Sequence, residues 1–333
     1  MALRRRLYAR GLLSSSAAGV PVLAVGNISL GGTGKSPMVR LLALAAIQGG
    51  PHPLRGCVPD LPLPVAILSR GYGRRSRGWL LVSQGAGPLP DVNAAVAGDE
   101  PLMLAQQVPQ AWVAVCEDRR EGARRLRELG AGSILLDDGF QHMALRRDGN
   151  ILLWDCAVDP RREAVLPFGR LRETPAAALD ASVIVLGRPT PDSVHLLRDH
   201  FGELFDRAGR VLPPIFIMHA TISNLLQAGS WQPVAGGMSG RHGVVCGIAA
   251  PERFLQATVR RLGPPAWTRT FGDHHAWSPG DMDELRAAVA THRLRHLVTT
   301  WKDAVRMPTD HALPLVVADQ DLRIQPVQDY LQS

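Results

Sequence analysis

The sequence predicts an α/β protein in which a P-loop NTPase-like domain, built on a parallel sheet, is joined to a second, smaller α/β domain. Three observations carry this expectation. Short, continuous apolar runs recur along the chain, the mark of strands covered on both faces. Stretches with helical spacing separate them, as in doubly wound folds. One run also leads into a glycine-rich loop that ends in Gly34-Lys35-Ser36, where a helix is expected to begin.

Taken in order, the opening segment places Leu3, Leu7 and Tyr8 near one helical face, with arginines around much of the rest. Such a helix suits an anionic leaflet, or equally packs its apolar stripe on the domain. Val22-Leu23-Ala24-Val25, Val65-Ala66-Ile67-Leu68, Trp112-Val113-Ala114-Val115, Ser133-Ile134-Leu135-Leu136 and Ile151-Leu152-Leu153-Trp154 read as strands. Helical spacing covers 37–47, 100–107 and 119–129, and the Pro/Gly-rich tracts 49–64 and 84–91 read as surface loops. The texture changes over 166–175, and a second set of strands is expected at 181–186, 214–218, 243–248, 294–300 and 313–317. A boundary is therefore expected near residue 170, with a P-loop nucleotide-binding domain over 1–170 and a second α/β domain over 171–333 that closes the cleft.

The chain's 333 residues and 46% hydrophobic content suffice for two cores. The net charge of +7 favours an anionic partner: a phosphorylated substrate, an acidic membrane surface or nucleic acid. Aromatic content of 5% and dispersed arginines argue against the stacking platform of a nucleic-acid binder. Cys57, Cys116, Cys156 and Cys246 lie far apart without zinc spacing, which fits a reduced, cytosolic compartment. No apolar run reaches the roughly 18 to 20 residues that span a bilayer, and no secretory leader is evident. Of 37 basic residues only Lys35 and Lys302 are lysines. A compact ammonium on a flexible stem is what a phosphate loop needs, and arginine's planar fork is no substitute.

In Gly26-Asn27-Ile28-Ser29-Leu30-Gly31-Gly32-Thr33-Gly34-Lys35-Ser36-Pro37 the glycines let N–H groups turn toward phosphate oxygens, and the helix N-terminus adds positive charge. Gly31, Gly32, Thr33, Gly34, Lys35 and Ser36 are the expected nucleotide-binding residues, with Lys35 on the β/γ-phosphates and Ser36 on Mg²⁺. Ser29 stands where the strict motif has glycine.

Asp137 and Asp138 follow an apolar strand, in the position of a Walker-B acid that holds a metal; otherwise they lie in a solvated loop. Asp99, after Gly98 and before a helix, is either a cap or a functional carboxylate. Asp273-His274-His275 offers a base relay or a metal site, or is plain surface. Arg70, in Ser69-Arg70-Gly71-Tyr72-Gly73, and the arginines of 166–173 are placed to clamp phosphates or are solvated charges.

Together these motifs resemble the tetraacyldisaccharide 4′-kinase family, the lipid A 4′-kinases of Gram-negative envelope synthesis. The resemblance runs nearly the whole chain: Val25-Gly26-Asn27, Gly31 to Pro37, Ser69-Arg70-Gly71-Tyr72-Gly73, Gly98-Asp99-Glu100-Pro101 and Asp137-Asp138-Gly139-Phe140-Gln141-His142. It continues through Leu171-Arg172-Glu173, Gly247-Ile248-Ala249-Ala250-Pro251-Glu252, Asp273-His274-His275 and Thr299-Thr300-Trp301-Lys302-Asp303-Ala304-Val305.

The resemblance implies transfer of the ATP γ-phosphate, with Mg²⁺, to the 4′-hydroxyl of a tetraacylated glucosamine disaccharide 1-phosphate. The setting it implies is the cytoplasmic face of the inner membrane, with peripheral attachment to that surface. It also implies that Asp99 is the catalytic base assisted by His274, that Asp137 and Asp138 are the metal-binding pair, and that Arg119 and Arg172 handle substrate or nucleotide. Several positions depart from the family: Ser36 replaces a threonine, Arg170 a proline and Trp301 a glutamate, and the N-terminal apolar segment is shorter than in the family. The alternative is a P-loop switch or assembly ATPase without a small acceptor.

Overall fold

A strand built on a continuous apolar run has two faces to bury, and β1 (Val22–Asn27), which opens with such a run, is buried along its whole length. The computed structural model describes the chain apart from residues 1, 51, 236, 237, 239, 309–311 and 333. It divides the chain into two compact units, one running up to His219 and resuming at Leu322, the other spanning Ala220–Asp321.

In the first unit, α1 (Ala2–Ala9) precedes β1, followed by α2 (Lys35–Gln48), β2 (Val65–Ser69), β3 (Leu80–Gln84), α3 (Ala94–Ala97), α4 (Asp99–Gln107), β4 (Trp112–Val115) and α5 (Arg119–Glu128). Next come β5 (Ser133–Asp137), β6 (Gly149–Asp155), a 3₁₀ turn (Pro175–Asp180), β7 (Val183–Gly187), α6 (Pro191–Arg207) and the start of β8 (Ile215–Gln227). The strand order is β8-β7-β6-β1-β5-β2-β4-β3. Every pairing is parallel except β3 with β4. Thus β1 is central, between β5 and β6, and Val25 stands beside Asp137.

Apolar clusters cover the sheet. Ala24, Leu68, Ala114 and Leu136 pack with Ala123 and Leu126 of α5. Trp154, Ile184 and Leu186 pack with Leu197, Phe201 and Phe205 of α6, where Trp154 and Phe201 meet edge to face at 5.3 Å.

The second unit holds β9 (His242–Cys246), α7 (Pro251–Leu262), β10 (Trp267–Thr270), α8 (Pro279–Thr291), β11 (His296–Thr299), α9 (Trp301–Ala304) and most of β12 (Leu315–Pro326). Its strands run in the order β10-β9-β11-β12, all parallel. Helix α10 (Val327–Gln332) belongs to the first unit, so the chain leaves that unit within β8 and returns within β12.

The units therefore part at residue 219 and again at 321, whereas the sequence suggests one boundary near 170. The reason is local: β7 pairs with β6 in parallel, and Leu171, Ala177 and Ala178 fill the core around Trp154, so the change of texture over 166–175 is a loop inside the first unit. Strands β3 and β10 were not expected. Both have partly exposed residues, including polar ones, and so lack the continuous apolar run that marks a central strand.

Two family departures are absorbed by local packing. Trp301 is buried, stacks on Trp231 at 4.5 Å and donates its indole N–H to Asp319 at 2.7 Å. Arg170 stays at the surface, its backbone N–H and guanidinium bound to Glu163.

Helix α1 forms as expected, although the side chain of Leu3 lies outside the described residues. Arg5 turns inward: it binds Glu173 and Asp180 and lies over the ring of Phe140 at 5.5 Å. That favours packing on the domain for this part of the helix.

Candidate active site

Strand β1 ends at Asn27, and α2 begins at Lys35 behind Gly34, whose left-handed φ of 90° serves as the cap. No side chain caps this helix, so the N–H groups of its first turn are available to an anion. Space is open where a Cβ would sit on Gly31 or Gly32, while Thr33 and Ser36 are buried.

Two contacts brace the loop. The fully buried Asn27 donates its side-chain N–H to Thr33 Oγ1 at 2.8 Å, and Gln141 donates its amide to the Asn27 carbonyl at 2.7 Å. Neither Asn27 nor Gln141 was singled out by the sequence reading, although both stand within quoted motifs; their partners become neighbours only when the loop folds. The departure at Ser29 also acquires a setting. Ser29 is buried and forms a bridge with Leu171, while the Ile28 carbonyl accepts from Arg172 N–H at 2.7 Å and Leu30 N–H donates to Arg170 at 2.8 Å. The 170–172 segment thereby runs along the phosphate loop and delivers Arg172 to it.

Lys35 Nζ lies 3.1 Å from Asp138 Oδ1, and Arg172 Nη1 lies 2.9 Å from Asp138 Oδ2. Asp138, in a left-handed conformation with φ 53°, is therefore shared by two cations. Burial would raise its carboxyl, but Lys35 and Arg172 outweigh burial and hold it below the ordinary carboxylate value.

Asp137 ends β5 and is almost fully buried. It acts electrostatically on Arg119, also buried, which donates to the carbonyls of Cys116 at 3.2 Å and Glu117 at 3.4 Å. Burial, with the cationic Arg70 as a lesser cause, lowers Arg119 to about 10 against the pull of Asp137 and Asp138. Arg70 itself is exposed on the loop after β2.

Asp99 is buried in the first turn of α4, and the cap is Gly98, so Asp99 does not occupy the cap position. Gly98 explains how the carboxylate is placed. A Cβ there would come within 3.0 Å of the Tyr72 carbonyl, so the 69–73 loop lies directly against the start of α4.

The structure thus gathers Lys35, Asp138 and Arg172 in contact, with Asp137, Arg119 and Arg70 within electrostatic reach. All of these, and Asp99, belong to the first unit. His274 belongs to the second unit, with φ 55°, its backbone N–H donating to Asp273 at 3.1 Å and its Nε2 3.9 Å from Asp273 Oδ2.

Comparison with known proteins bears on this arrangement. The family model described as LpxK, tetraacyldisaccharide-1-P 4′-kinase, matches residues 1–332. A tetraacyldisaccharide 4′-kinase of Anaeromyxobacter dehalogenans is 38% identical over 96% of this chain and 80% of its own length. One from Geobacter sulfurreducens is 36% identical over 98% of this chain and 85% of its own. The crystal structure of LpxK from Aquifex aeolicus in complex with ATP superposes with a TM-score of 0.73 at 27% identity, covering 99% of this chain and 92% of that one. With a family match along nearly its whole length, the chain belongs to the tetraacyldisaccharide-1-P 4′-kinase family.

Proposed function

We propose that the chain transfers the γ-phosphoryl group of ATP to the 4′-hydroxyl of a tetraacylated glucosamine disaccharide 1-phosphate, forming lipid IVA. The observation that carries this reading is Lys35, at the start of α2, sharing Asp138 with Arg172 in a chain related to 4′-kinases along its length. The same relationship favours a kinase over a P-loop switch or assembly ATPase.

In this reading the loop N–H groups and Lys35 hold the β- and γ-phosphates, while Arg172, Arg119 and Arg70 supply further positive charge. Ser36 and Asp137, with Asp138 beside them, would hold Mg²⁺, which when bound supplies charge neutralisation on the phosphate oxygens. Mg²⁺ fits this donor set, because it commonly takes only one or two carboxylates together with substrate phosphates. The described residues contain no cluster of three or more His, Cys, Asp or Glu around a metal-sized position.

Asp99 accepts the proton of the 4′-hydroxyl as the new O–P bond forms and the bond to the β-phosphate oxygen breaks, releasing ADP. His274 assists that carboxylate.

The proposed setting is the cytoplasmic face of the inner membrane, with peripheral attachment. No described helix is long and apolar enough to cross a membrane. Support for a surface contact comes from Phe168, 90% exposed, together with the exposed Leu166 and Leu30. Leu30 is joined to this turn by its backbone hydrogen bond to Arg170, so these exposed apolar residues flank the phosphate loop and would hold it near lipid headgroups.

The test is incubation of the purified chain with γ-labelled ATP, Mg²⁺ and the lipid disaccharide 1-phosphate. Label on the distal sugar is expected; label released only as free phosphate overturns the kinase reading.

A further inference from the structure

The 299–305 motif and Gly247 have no part in the chemistry above, yet they converge on the loop that carries His274. Asp303 is fully buried and accepts three hydrogen bonds, from Gly247 N–H at 3.0 Å, Thr300 Oγ1 at 2.7 Å and Arg306 Nη2 at 2.6 Å. Arg306 in turn donates to three carbonyls: Lys302 at 2.9 Å, Gly247 at 2.9 Å and His275 at 3.2 Å. Its planar fork spreads the donors over three nitrogens, so it reaches acceptors farther apart than a lysine's single ammonium nitrogen can.

Gly247 is closely packed in the same cluster. A Cβ there would lie 3.0 Å from His275 Cβ, 3.1 Å from the Gly272 carbonyl and 3.2 Å from Asp303 Oδ1. A side chain there would make these neighbours give by a few tenths of an ångström, so the 272–275 loop lies directly against the end of β9.

The loop is held from its other side as well. His275 stacks on Phe271 at 4.4 Å and places Nε2 3.0 Å from Asp281. His275 is thus held by contacts on both its backbone and its ring, and the neighbouring His274 is in the left-handed conformation.

We propose that Asp303 and Arg306 are positioning residues, a buried ion pair that fixes the backbone on which His274 is presented to the reaction. The proposal rests on the role given to His274 above. It assigns to the 299–306 segment a task distinct from nucleotide binding, whose residues lie in the first unit. A buried ion pair of this kind is weak evidence for stability but well suited to fixing one conformation. Small misplacement of a reacting group is costly in rate.

The test is a double-mutant cycle on the full chain with Arg306→Lys and His274→Ala, reading kcat and the KM for ATP. Arg306→Lys should lower kcat roughly ten- to a hundredfold, with the KM for ATP changed by less than about twofold. In the His274→Ala background the same substitution should cost less than about a further twofold, because the group being positioned is gone. Costs that multiply in full, or an Arg306→Lys variant with parental kcat, overturn the positioning role. A His274→Ala variant with parental kcat overturns the assignment of His274 itself, and with it the task of the pair. Should Arg306→Lys fail to fold, Thr300→Val removes one bond to Asp303 and enters the same cycle, with a smaller kcat loss that His274→Ala again abolishes.

Discussion

Replacing Asn27 with alanine tests whether the phosphate loop is held in its binding shape before nucleotide arrives. The Asn27 side chain is fully buried, and its 2.8 Å bond to Thr33 is a short, well-formed link across the loop. Lys35 Nζ also approaches Asn27 Oδ1, but at 3.5 Å this contact contributes little. Truncation removes the donor, leaves the buried Thr33 hydroxyl without it and opens a small void, at a cost of about 1.5–2 kcal/mol. If that free energy orders the loop, ATP must supply it on binding, which weakens affinity about ten- to thirtyfold. The same loss should lower the melting temperature by about 3–5 °C. Titration calorimetry with ATP, alongside thermal melting, reads both quantities. An ATP Kd within twofold of the parent, with the melting temperature lowered, would show that the bond stabilises the fold without preorganising the loop, and so refute the reasoning.

Three further outcomes follow from the geometry. Lys35→Arg keeps the charge but substitutes a planar fork for a compact ammonium beside Asp138, and should lower kcat by about a hundredfold or more in the labelled-ATP assay. Asp99→Asn should reduce kcat by about 10²–10⁴ while leaving the KM for ATP within about threefold, since the carboxylate is assigned to the acceptor's proton; full activity would sink that role. His142 is pushed down to about 4 by burial and by the neighbouring Arg119. Between its ordinary value of 6.5 and about 4 the unfolded chain binds a proton that the folded chain refuses. The stability this contributes is present above about pH 6.5 and is lost as pH falls toward 4, amounting to about 1–2 kcal/mol after allowance for the exposed part of the ring. His142→Gln should accordingly show a fall in melting temperature between about pH 7 and pH 4.5 that is smaller than the parent's by about 2–4 °C, measured by scanning fluorimetry; an equal fall would refute the assignment.

Much of the molecule was legible before folding, because its signals are local. A continuous apolar run such as 65–68 has two faces to bury, and so declares a central strand whatever surrounds it. The glycine loop between β1 and α2 likewise declares itself, as does the acid at the end of β5, because chain direction alone puts both at one edge of a parallel sheet. Lys35 stood out through the scarcity of lysine, a property of the whole sequence.

What the sequence could not supply are relations between residues far apart in the chain. Arg172 meets Asp138 only because Ser29 and Leu171 pair along the phosphate loop. Asn27 and Gln141, separated by more than a hundred residues, gain roles only when two loops pack together. The extent of the first unit was hidden for the same reason: β7 and α6 join it through parallel pairing and packing around Trp154, which no local change of composition records. By itself the sequence determined the class of fold, the phosphate loop and the family resemblance, because periodicity and motif spacing act over a few residues. Tertiary structure decided which cation shares which carboxylate, where the units divide and how Asp303 and Arg306 hold the loop of His274. Those outcomes depend on distance in space, which the order of residues along the chain does not express.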